Sequence, residues 1–174
     1  QALERWSARA IWVVSKRDKT YPQRLRSVMR GDAPPVMFGS GDPSLLEGSA
    51  LAVVGSRNAD PSVLSVAEGV ASFAAEHDIV VVSGGAKGID RAAMLTALRH
   101  DGRAVGVLAD SLERAVVEPA YRDALRAGRL LLLSPFDPSA RFQIWKAMQR
   151  NKIIYAAANA GLVVESAVSE GGTW

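Results

Sequence analysis

A glycine-rich run at residues 83–90, with the sequence SGGAKGID, has the residue types of an anion-binding loop. Glycines let backbone N–H groups approach a ligand closely, and the start of the helix predicted to follow favours negative charge. The spacing matches neither the dinucleotide fingerprint GxGxxG nor the phosphate loop GxxxxGK[ST]. The alternative interpretation is a tight turn that needs glycine for steric reasons. The residues expected to bind phosphate here are Ser83, Gly84, Gly85, Lys87 and Gly88.

A second candidate, Gly55-Ser56-Arg57, follows the apolar run at residues 51–54. Gly55 lets a ligand approach the backbone, while the hydroxyl of Ser56 and the guanidinium of Arg57 are both phosphate-binding groups. The alternative is an ordinary turn that carries a solvated arginine, and the residues alone leave the two interpretations open. Asp90, in the first turn of the predicted helix at about 88–100, is expected to be structural rather than a general base.

A third candidate lies in the helix predicted at about 140–158, where residues 141–152 contain four cations and no acid. Phe142 and Trp145 lie in the same stretch, and cations interleaved with aromatic rings suit single-stranded nucleic acid. The alternative is that both rings belong to the core, which is the favoured interpretation for Trp145 taken alone. For the cluster at 150–152 binding is favoured. The candidate binding residues are Lys146, Arg150, Asn151 and Lys152.

Signatures of catalysis are sparse. The two histidines, His77 and His100, fall near predicted helix ends, and no GxSxG, HExxH or paired-carboxylate motif is present. The absence of cysteine excludes disulfides, thiolate metal sites and a cysteine nucleophile. We therefore expect no catalytic residue, no metal site and no cofactor. Glu165-Ser166 and the later Gly171-Gly172 stay open as either an anion loop or a solvent loop.

Short apolar runs separated by helical patterns must position these loops. Five runs follow residue 50 without polar alternation, as in strands buried on both faces of a parallel sheet. The pattern predicts a three-layer α/β fold with a mostly parallel sheet, in which ligands collect at the carboxyl ends of the strands. Residues 1–48 are predicted to form an N-terminal extension packed on a core at 49–174. We expect that core to be truncated at its C-terminus.

The composition is that of an ordinary soluble globular protein, and we expect no membrane partner. The chain has 174 residues, 48% hydrophobic residues and a net charge of +3, which by itself is weak support for a nucleic-acid partner. No apolar run approaches the roughly 18 residues that a membrane helix needs. The lack of cysteine suits a reducing cytoplasm, which is the expected location.

Taken together, these segments resemble the DprA/Smf family of DNA-processing proteins over about residues 20–170. No single segment is specific, but their order and spacing are. The resemblance rests on Tyr21-Pro22 with Leu25, Pro34-Pro35 before an apolar run and Gly39, AVVGSR at 52–57, VSGGAKGID at 82–90, RNKII at 150–154 and VVE at 163–165.

The resemblance implies an extended Rossmann-like domain that binds single-stranded DNA and forms a homodimer. It also implies that the protein loads a RecA-type recombinase onto incoming DNA during natural transformation. The residues that the resemblance places on DNA phosphates are Arg57, Lys87, Arg150 and Lys152.

Four positions depart from the family pattern. Met94 stands where the family usually has histidine, and Ser134-Pro135 replaces Ser-Glu. Pro119-Ala120-Tyr121-Arg122 replaces Pro-x-x-Asn, and an alanine run occupies 156–158. The superfamily also includes nucleotide sensors and phosphoribohydrolases, so a small-nucleotide sensor or enzyme using Asp90 or Glu165 is the alternative function. A hydride-transfer oxidoreductase is disfavoured because GxGxxG is missing.

Overall fold

One seven-stranded sheet organises the described residues, 2–166, of the computed structural model, which is a mixed α/β structure. The strands are β1 (Trp12–Ser15), β2 (Val36–Ser40), β3 (Ala50–Val54), β4 (Val80–Ser83), β5 (Ala104–Val107), β6 (Leu130–Ser134) and β7 (Ala160–Val163). The α-helices are α1 (Ala2–Ser7), α2 (Gln23–Met29), α3 (Pro61–Glu76), α4 (Ile89–Arg99), α5 (Leu112–Ala115), α6 (Pro119–Arg126) and α7 (Ile144–Ala156).

The order of the strands across the sheet is β1-β2-β6-β5-β4-β3-β7. Strands β6, β5, β4, β3 and β7 run parallel, while β2 is antiparallel to both β6 and β1. The predicted mostly parallel sheet is confirmed. The five predicted apolar runs after residue 50 form β3, β4, β5, β6 and β7.

Helices pack on both faces of the sheet because successive strand residues point in opposite directions. On one face, Val53 and Val81 contact alanines of α3 and α4. On the other, Val82 and Val107 pack in one cluster with Leu25 of α2 and with Ile153 and Ile154 of α7. The strands at the centre are therefore apolar on both sides, which explains why their residues do not alternate with polar ones.

The buried face of α3 differs from the one that its larger apolar residues suggest. Val63, Val66, Val70 and Phe73 recur on one face, but Val66 and Phe73 are 55% and 56% exposed. The fully buried residues are instead Ala67, Ala71 and Ala74. Alanine allows α3 to lie close to both α4 and the sheet, and a larger side chain would hold these elements apart.

The pattern also failed to predict two short helices, α1 and α5. Arg5 and Arg9 of the N-terminal region form ion pairs with Glu113 of α5, at 3.0 and 3.3 Å. The ring of Trp6 lies edge-on to that of Phe38, with 5.1 Å between centroids. These helices are held by contacts between residues far apart in the chain, which local periodicity does not report.

None of the helices in the described part of the chain combines the length and the apolar character needed to cross a bilayer.

Replacing Met94 by alanine is expected to lower the free energy of unfolding by about 2–5 kcal/mol, because the side chain is fully buried. Met94 packs in a cluster with Leu98 and Leu132, and its side chain also packs against Gly106. Denaturant unfolding checks the change. Met148→Ala is the matched control, since Met148 is 47% exposed and its loss should change stability little. Equal effects of the two substitutions would contradict this assignment of the core.

Candidate functional site

The loops that follow β3 and β4 lie side by side at the carboxyl edge of the sheet. The backbone N–H of Ile89 donates to the carbonyl of Ser56 at 3.2 Å. Gly88 has a φ of +90°, and a Cβ there would lie 2.3 Å from the Ser56 oxygen. Glycine is therefore required at this crossing for both conformation and space. The segments 55–57 and 83–90, separate in sequence, form one site in the structure.

An open groove of about 400 Å³ extends from these loops between α3 and α4. Four cations and one carboxylate are among the residues that line it. Those charged residues are Arg57, Lys87, Arg91, Arg99 and Glu68. The groove is thus cationic even though the whole chain is close to neutral, so its charge comes from local placement.

The four cations of the groove differ in how far other groups already neutralise them. Arg91 is paired with Glu118, and Arg99 lies 3.7 Å from the Glu68 carboxylate. Within residues 2–166, no carboxylate lies within ion-pair distance of Arg57 or Lys87. Both side chains belong to exposed residues at the mouth of the groove. Arg57 and Lys87 are therefore the cations with charge to offer an anion.

Helix α4 supplies much of this groove through residues that the sequence analysis did not select. The groove is lined by Arg91, Ala92, Leu95 and Arg99 of α4, which lie on one face at helical spacing, and by the predicted Gly88 just before the helix. Ala92 and Leu95 are only partly buried. The repeat of arginine at positions 91 and 99 beside small and apolar residues was the signal available in the sequence.

A buried carboxylate, not a ligand, occupies part of the predicted anion loop. Asp90 Oδ1 accepts from the Gly55 N–H at 3.3 Å, and Oδ2 accepts from the Gly84 N–H at 3.0 Å. Burial raises the pKa of Asp90, while the nearby Arg150 and the backbone donors act in the opposite direction. Asp90 therefore joins the two loops. The sequence predicted that Gly84 binds phosphate, but its N–H donates to Asp90 instead.

Arg150 lies beneath the loop rather than on its outer surface. It is 4% exposed, and its Nη1 donates to the Val107 carbonyl at 2.6 Å. Its Nη2 lies 3.9 Å from Asp90 Oδ2. A Cβ on Gly84 would lie 1.6 Å from Nη1, so the guanidinium packs directly against that glycine. The guanidinium is thus bonded inside the protein, which speaks against the prediction that Arg150 contacts phosphate.

The remaining loop residues divide in the same way between inner and outer positions. Ser83, which was expected to bind phosphate, is fully buried. Its hydroxyl donates to the Val53 carbonyl at 2.5 Å and is therefore not available to a ligand. The Ser56 hydroxyl is partly exposed and accepts from the Asn58 N–H at 3.2 Å. Gly85 has a φ of +66°, in the left-handed region that favours glycine.

Aromatic side chains meet the cations at the start of α7. The guanidinium of Arg57 lies 4.6 Å from the centre of the Phe142 ring. Trp145 lies edge-on to Phe136 at 5.7 Å, and the Lys146 ammonium is 5.6 Å from both of these rings. Phe142 and Trp145 are 42% and 54% exposed, so the expectation that Trp145 is a core residue is wrong. Helix α7 instead presents rings and cations to solvent.

The rest of α7 contributes one exposed cation of the predicted set. Lys152 is exposed, and Asn151 is partly buried. Met94, the departure from the family histidine, is fully buried away from the groove. Glu165 and Ser166 are partly buried at the end of the described chain. The predicted glycine loop at 171–172 lies outside the described residues.

Replacing Arg150 by alanine is expected to destabilise the protein by about 3–5 kcal/mol, because it leaves Asp90 buried without its cation. Loss of the cation also raises the pKa of Asp90 further. When the pKa of Asp90 is raised in the folded state, its protonation favours folding at pH values below the unfolded pKa of 3.8. That contribution to stability is lost as pH rises through the higher pKa of the folded state. The deficit relative to the unsubstituted chain should therefore be larger at about pH 8 than at about pH 5.

Chemical denaturation at both pH values measures this deficit. Lys152→Ala, on the same helix but exposed, removes the same charge and should leave stability within about 0.5 kcal/mol. Similar stability of the two variants would show that Arg150 has no structural role.

Solved structures share this fold over nearly the whole chain. The X-ray structure of DNA processing protein A from Streptococcus pneumoniae superposes with a TM-score of 0.77 at 29% identity, covering 98% of this chain and 60% of that one. A structure of DNA processing protein A from Helicobacter pylori, described as giving insight into a single-stranded DNA binding mode, has a TM-score of 0.75. It is 21% identical and covers 92% of this chain and 72% of that one, a likeness of fold.

Curated relatives agree with the structural matches. A putative DNA processing protein DprA from Mycobacterium tuberculosis (strain ATCC 25618 / H37Rv) is 37% identical over 146 residues, covering 81% of this chain and 37% of the relative. DprA from Streptococcus pneumoniae (strain ATCC BAA-255 / R6) is 32% identical over 161 residues, 88% of this chain and 54% of the relative. The chain thus spans about half or less of these two relatives. The family model for DNA recombination-mediator protein A matches residues 12–174, and the chain belongs to that family.

Proposed function

We propose that this chain is a DNA-binding module without enzymatic activity, which holds single-stranded DNA at the carboxyl edge of its sheet. The observation that supports this most directly is the convergence of Arg57 and Lys87 in one groove, where neither forms an ion pair with a carboxylate of residues 2–166. Exposed aromatic rings lie beside these cations, with Phe142 in contact with Arg57 itself. Cations beside stacking surfaces suit a strand whose phosphates and bases are both accessible.

In this proposal, the outer residues of the site contact DNA and the inner residues position them. Phosphates lie against Arg57 and Lys87, with Gly55, Ser56, Gly85 and Gly88 shaping the surface. The strand then continues over α7, where Trp145 offers a stacking face and Lys146 and Lys152 offer charge. Asp90 and Arg150 act indirectly, by holding the two glycine loops in place.

The wider role follows from membership of the family and is part of the same proposal. The fold is a three-layer extended Rossmann-like domain, with residues 1–48 as an extension packed on the core at 49–174. The whole protein acts in the cytoplasm as a homodimer that loads a RecA-type recombinase onto DNA during natural transformation. The relatives named DprA support the DNA-processing role, and helices packed on both sheet faces support the fold assignment.

The geometry gives little support to a nucleotide-hydrolysing enzyme. Asp90, a carboxylate between the two groove loops, is buried and bonded to two backbone N–H groups and lies beside Arg150. A general acid or base must reach its substrate, and this carboxylate faces inward. A thermal-shift comparison separates the two functions. Stabilisation by oligo-dT supports DNA binding, whereas stabilisation by AMP with none by oligo-dT would contradict it.

Arg57→Ala is expected to weaken binding of oligo-dT and to reduce the dependence of affinity on salt. Each phosphate contact on a single strand contributes about 0.7 to the slope of log affinity against log salt concentration, so the slope should fall by about that amount. Fluorescence anisotropy at several salt concentrations measures both quantities. Arg122→Ala, at an exposed position of α6, controls for the loss of one charge. Unchanged binding by Arg57→Ala would remove Arg57 from the site.

Trp145→Ala is expected to lower oligo-dT affinity by about 5- to 150-fold, since stacking of one base on an aromatic ring contributes about 1–3 kcal/mol. Trp145→Phe should keep most of the affinity because it keeps a ring. Ile144→Ala is the matched control, as Ile144 is the adjacent residue, 73% exposed and without a π face. The same anisotropy titration applies. If Ile144→Ala weakened binding as much as Trp145→Ala, stacking on Trp145 would not be its cause.

A further inference from the structure

The positive charge of the chain is concentrated in a segment that the proposed site does not use. Residues 16–30 contain six cations and one acid, a larger excess than the net +3 of the whole chain. The cations are Lys16, Arg17, Lys19, Arg24, Arg26 and Arg30. This segment connects β1 to α2 and contains α2 itself. The rest of the chain therefore has a small excess of acidic residues, and the positive charge is concentrated in this one segment.

Part of this segment surrounds an open pocket of about 550 Å³. Its lining is Ser15, Lys16, Arg17, Arg26 and Pro35, which includes three cations and no carboxylate. The acid nearest in sequence, Asp18, is turned to its own loop, where its Oδ2 accepts from the Ser15 N–H at 2.7 Å. Among the residues that the structure describes, no carboxylate forms an ion pair with Lys16, Arg17 or Arg26.

Two of the three cations are held in position by hydrogen bonds to the backbone. The Lys16 ammonium donates to the carbonyls of Arg30, at 2.5 Å, and Gly31, at 3.2 Å. The guanidinium of Arg26 donates to the Asp18 carbonyl and lies 5.6 Å from the centre of the Tyr21 ring. Carbonyl contacts orient these cations without removing their charge, so the pocket is organised before a ligand arrives. Arg17 is exposed at its rim.

The direction of β1 places this pocket at the same edge of the sheet as the groove. Strand β1 is antiparallel to β2, which is antiparallel to β6, so β1 ends at the edge where the parallel strands end. Five strand spacings separate β1 from β3, about 24 Å at 4.8 Å per spacing. Helices α2 and α7 contact each other on one face between these ends.

We propose that the pocket of Ser15, Lys16, Arg17, Arg26 and Pro35 is a second phosphate-binding site, which holds the backbone of the same DNA strand beyond α7. This inference rests on the proposed function for its ligand. The ligand chemistry is a phosphodiester or phosphate, because three cations with no acid form a site for an anion. The pocket extends the contact between protein and strand across the full row of strand ends.

The test compares Arg17→Glu with the unsubstituted chain for oligo-dT of about 4 and about 16 nucleotides, the range of lengths that small single-strand binding domains cover. Arg17→Glu should weaken binding of the longer strand by about threefold to tenfold and flatten its salt dependence by at least one phosphate contact. Binding of the shorter strand should not change, because it occupies the groove alone. Arg17→Lys, which keeps the charge, should bind the longer strand normally.

Arg122→Glu is the matched control, an exposed arginine on α6, which packs on the opposite sheet face from α2. Equal effects of Arg17→Glu on both lengths, or an equal loss in Arg122→Glu, would overturn the second site in favour of bulk charge. Normal binding of the longer strand by Arg17→Glu would also overturn it.

Inorganic pyrophosphate in a thermal-shift assay distinguishes the source of the phosphate. Stabilisation that Arg17→Glu abolishes, together with unchanged binding of the longer strand, would identify a site for a free phosphate compound and overturn the DNA assignment. Arg57→Ala is measured in parallel with both lengths. If it leaves the shorter strand bound normally, the proposed function fails at the groove, an outcome separate from any result at Arg17.

Discussion

The carboxylate of Asp90 is the interaction on which the geometry of the site depends. It lies at the start of α4 and accepts hydrogen bonds from Gly55 and Gly84, which follow two different strands. A buried charge is costly unless it is paired and hydrogen-bonded, and Arg150 with the backbone donors meets that requirement. The requirement in turn restricts its neighbours. Gly84 must lack a side chain because the guanidinium of Arg150 packs against it.

This arrangement divides the basic residues of the site into two kinds with different physical roles. Arg150 is desolvated, and its burial lowers the pKa of its guanidinium while Asp90 opposes that effect. It stabilises the loop from beneath, at a position that water and ligand do not reach. Arg57 and Lys87 remain solvated on the outer side, where their charge attracts anions over a distance and is screened by salt. A buried ion pair behind exposed, hydrated cations is an arrangement suited to binding a flexible polyanion.

The carboxyl edge of the sheet extends this surface well beyond the two glycine loops. Parallel strands end in a row, and the antiparallel pair β1 and β2 returns a further strand end to the same edge. The pocket cations Lys16, Arg17 and Arg26 therefore lie at the same edge of the sheet as the groove, although the two segments are remote in sequence. A chain whose overall charge is only +3 can in this way present a strongly cationic edge.

Local pattern was sufficient to predict the strands and their mostly parallel arrangement. Buried strands are short and apolar, and parallel neighbours bring their ends together, so both features follow from composition and order. The exposure of individual residues did not follow. Arg150 and Lys152 are two residues apart in one basic cluster, yet one is buried and the other solvated. Helices α1 and α5 were likewise absent from the prediction, since ion pairs across more than a hundred residues hold them.

These differences between prediction and structure have one cause. Periodicity indicates which side of a helix or strand is apolar, whereas the burial of a charged side chain depends on whether it has a partner. Asp90 lies 60 positions before Arg150, and neither segment carries a local mark of the other. Only the packing of α7 against the sheet brings the guanidinium to the carboxylate and to the Val107 carbonyl. Residue order was thus enough for the family and the sheet. Tertiary contacts decided which cations support the loop and which face solvent.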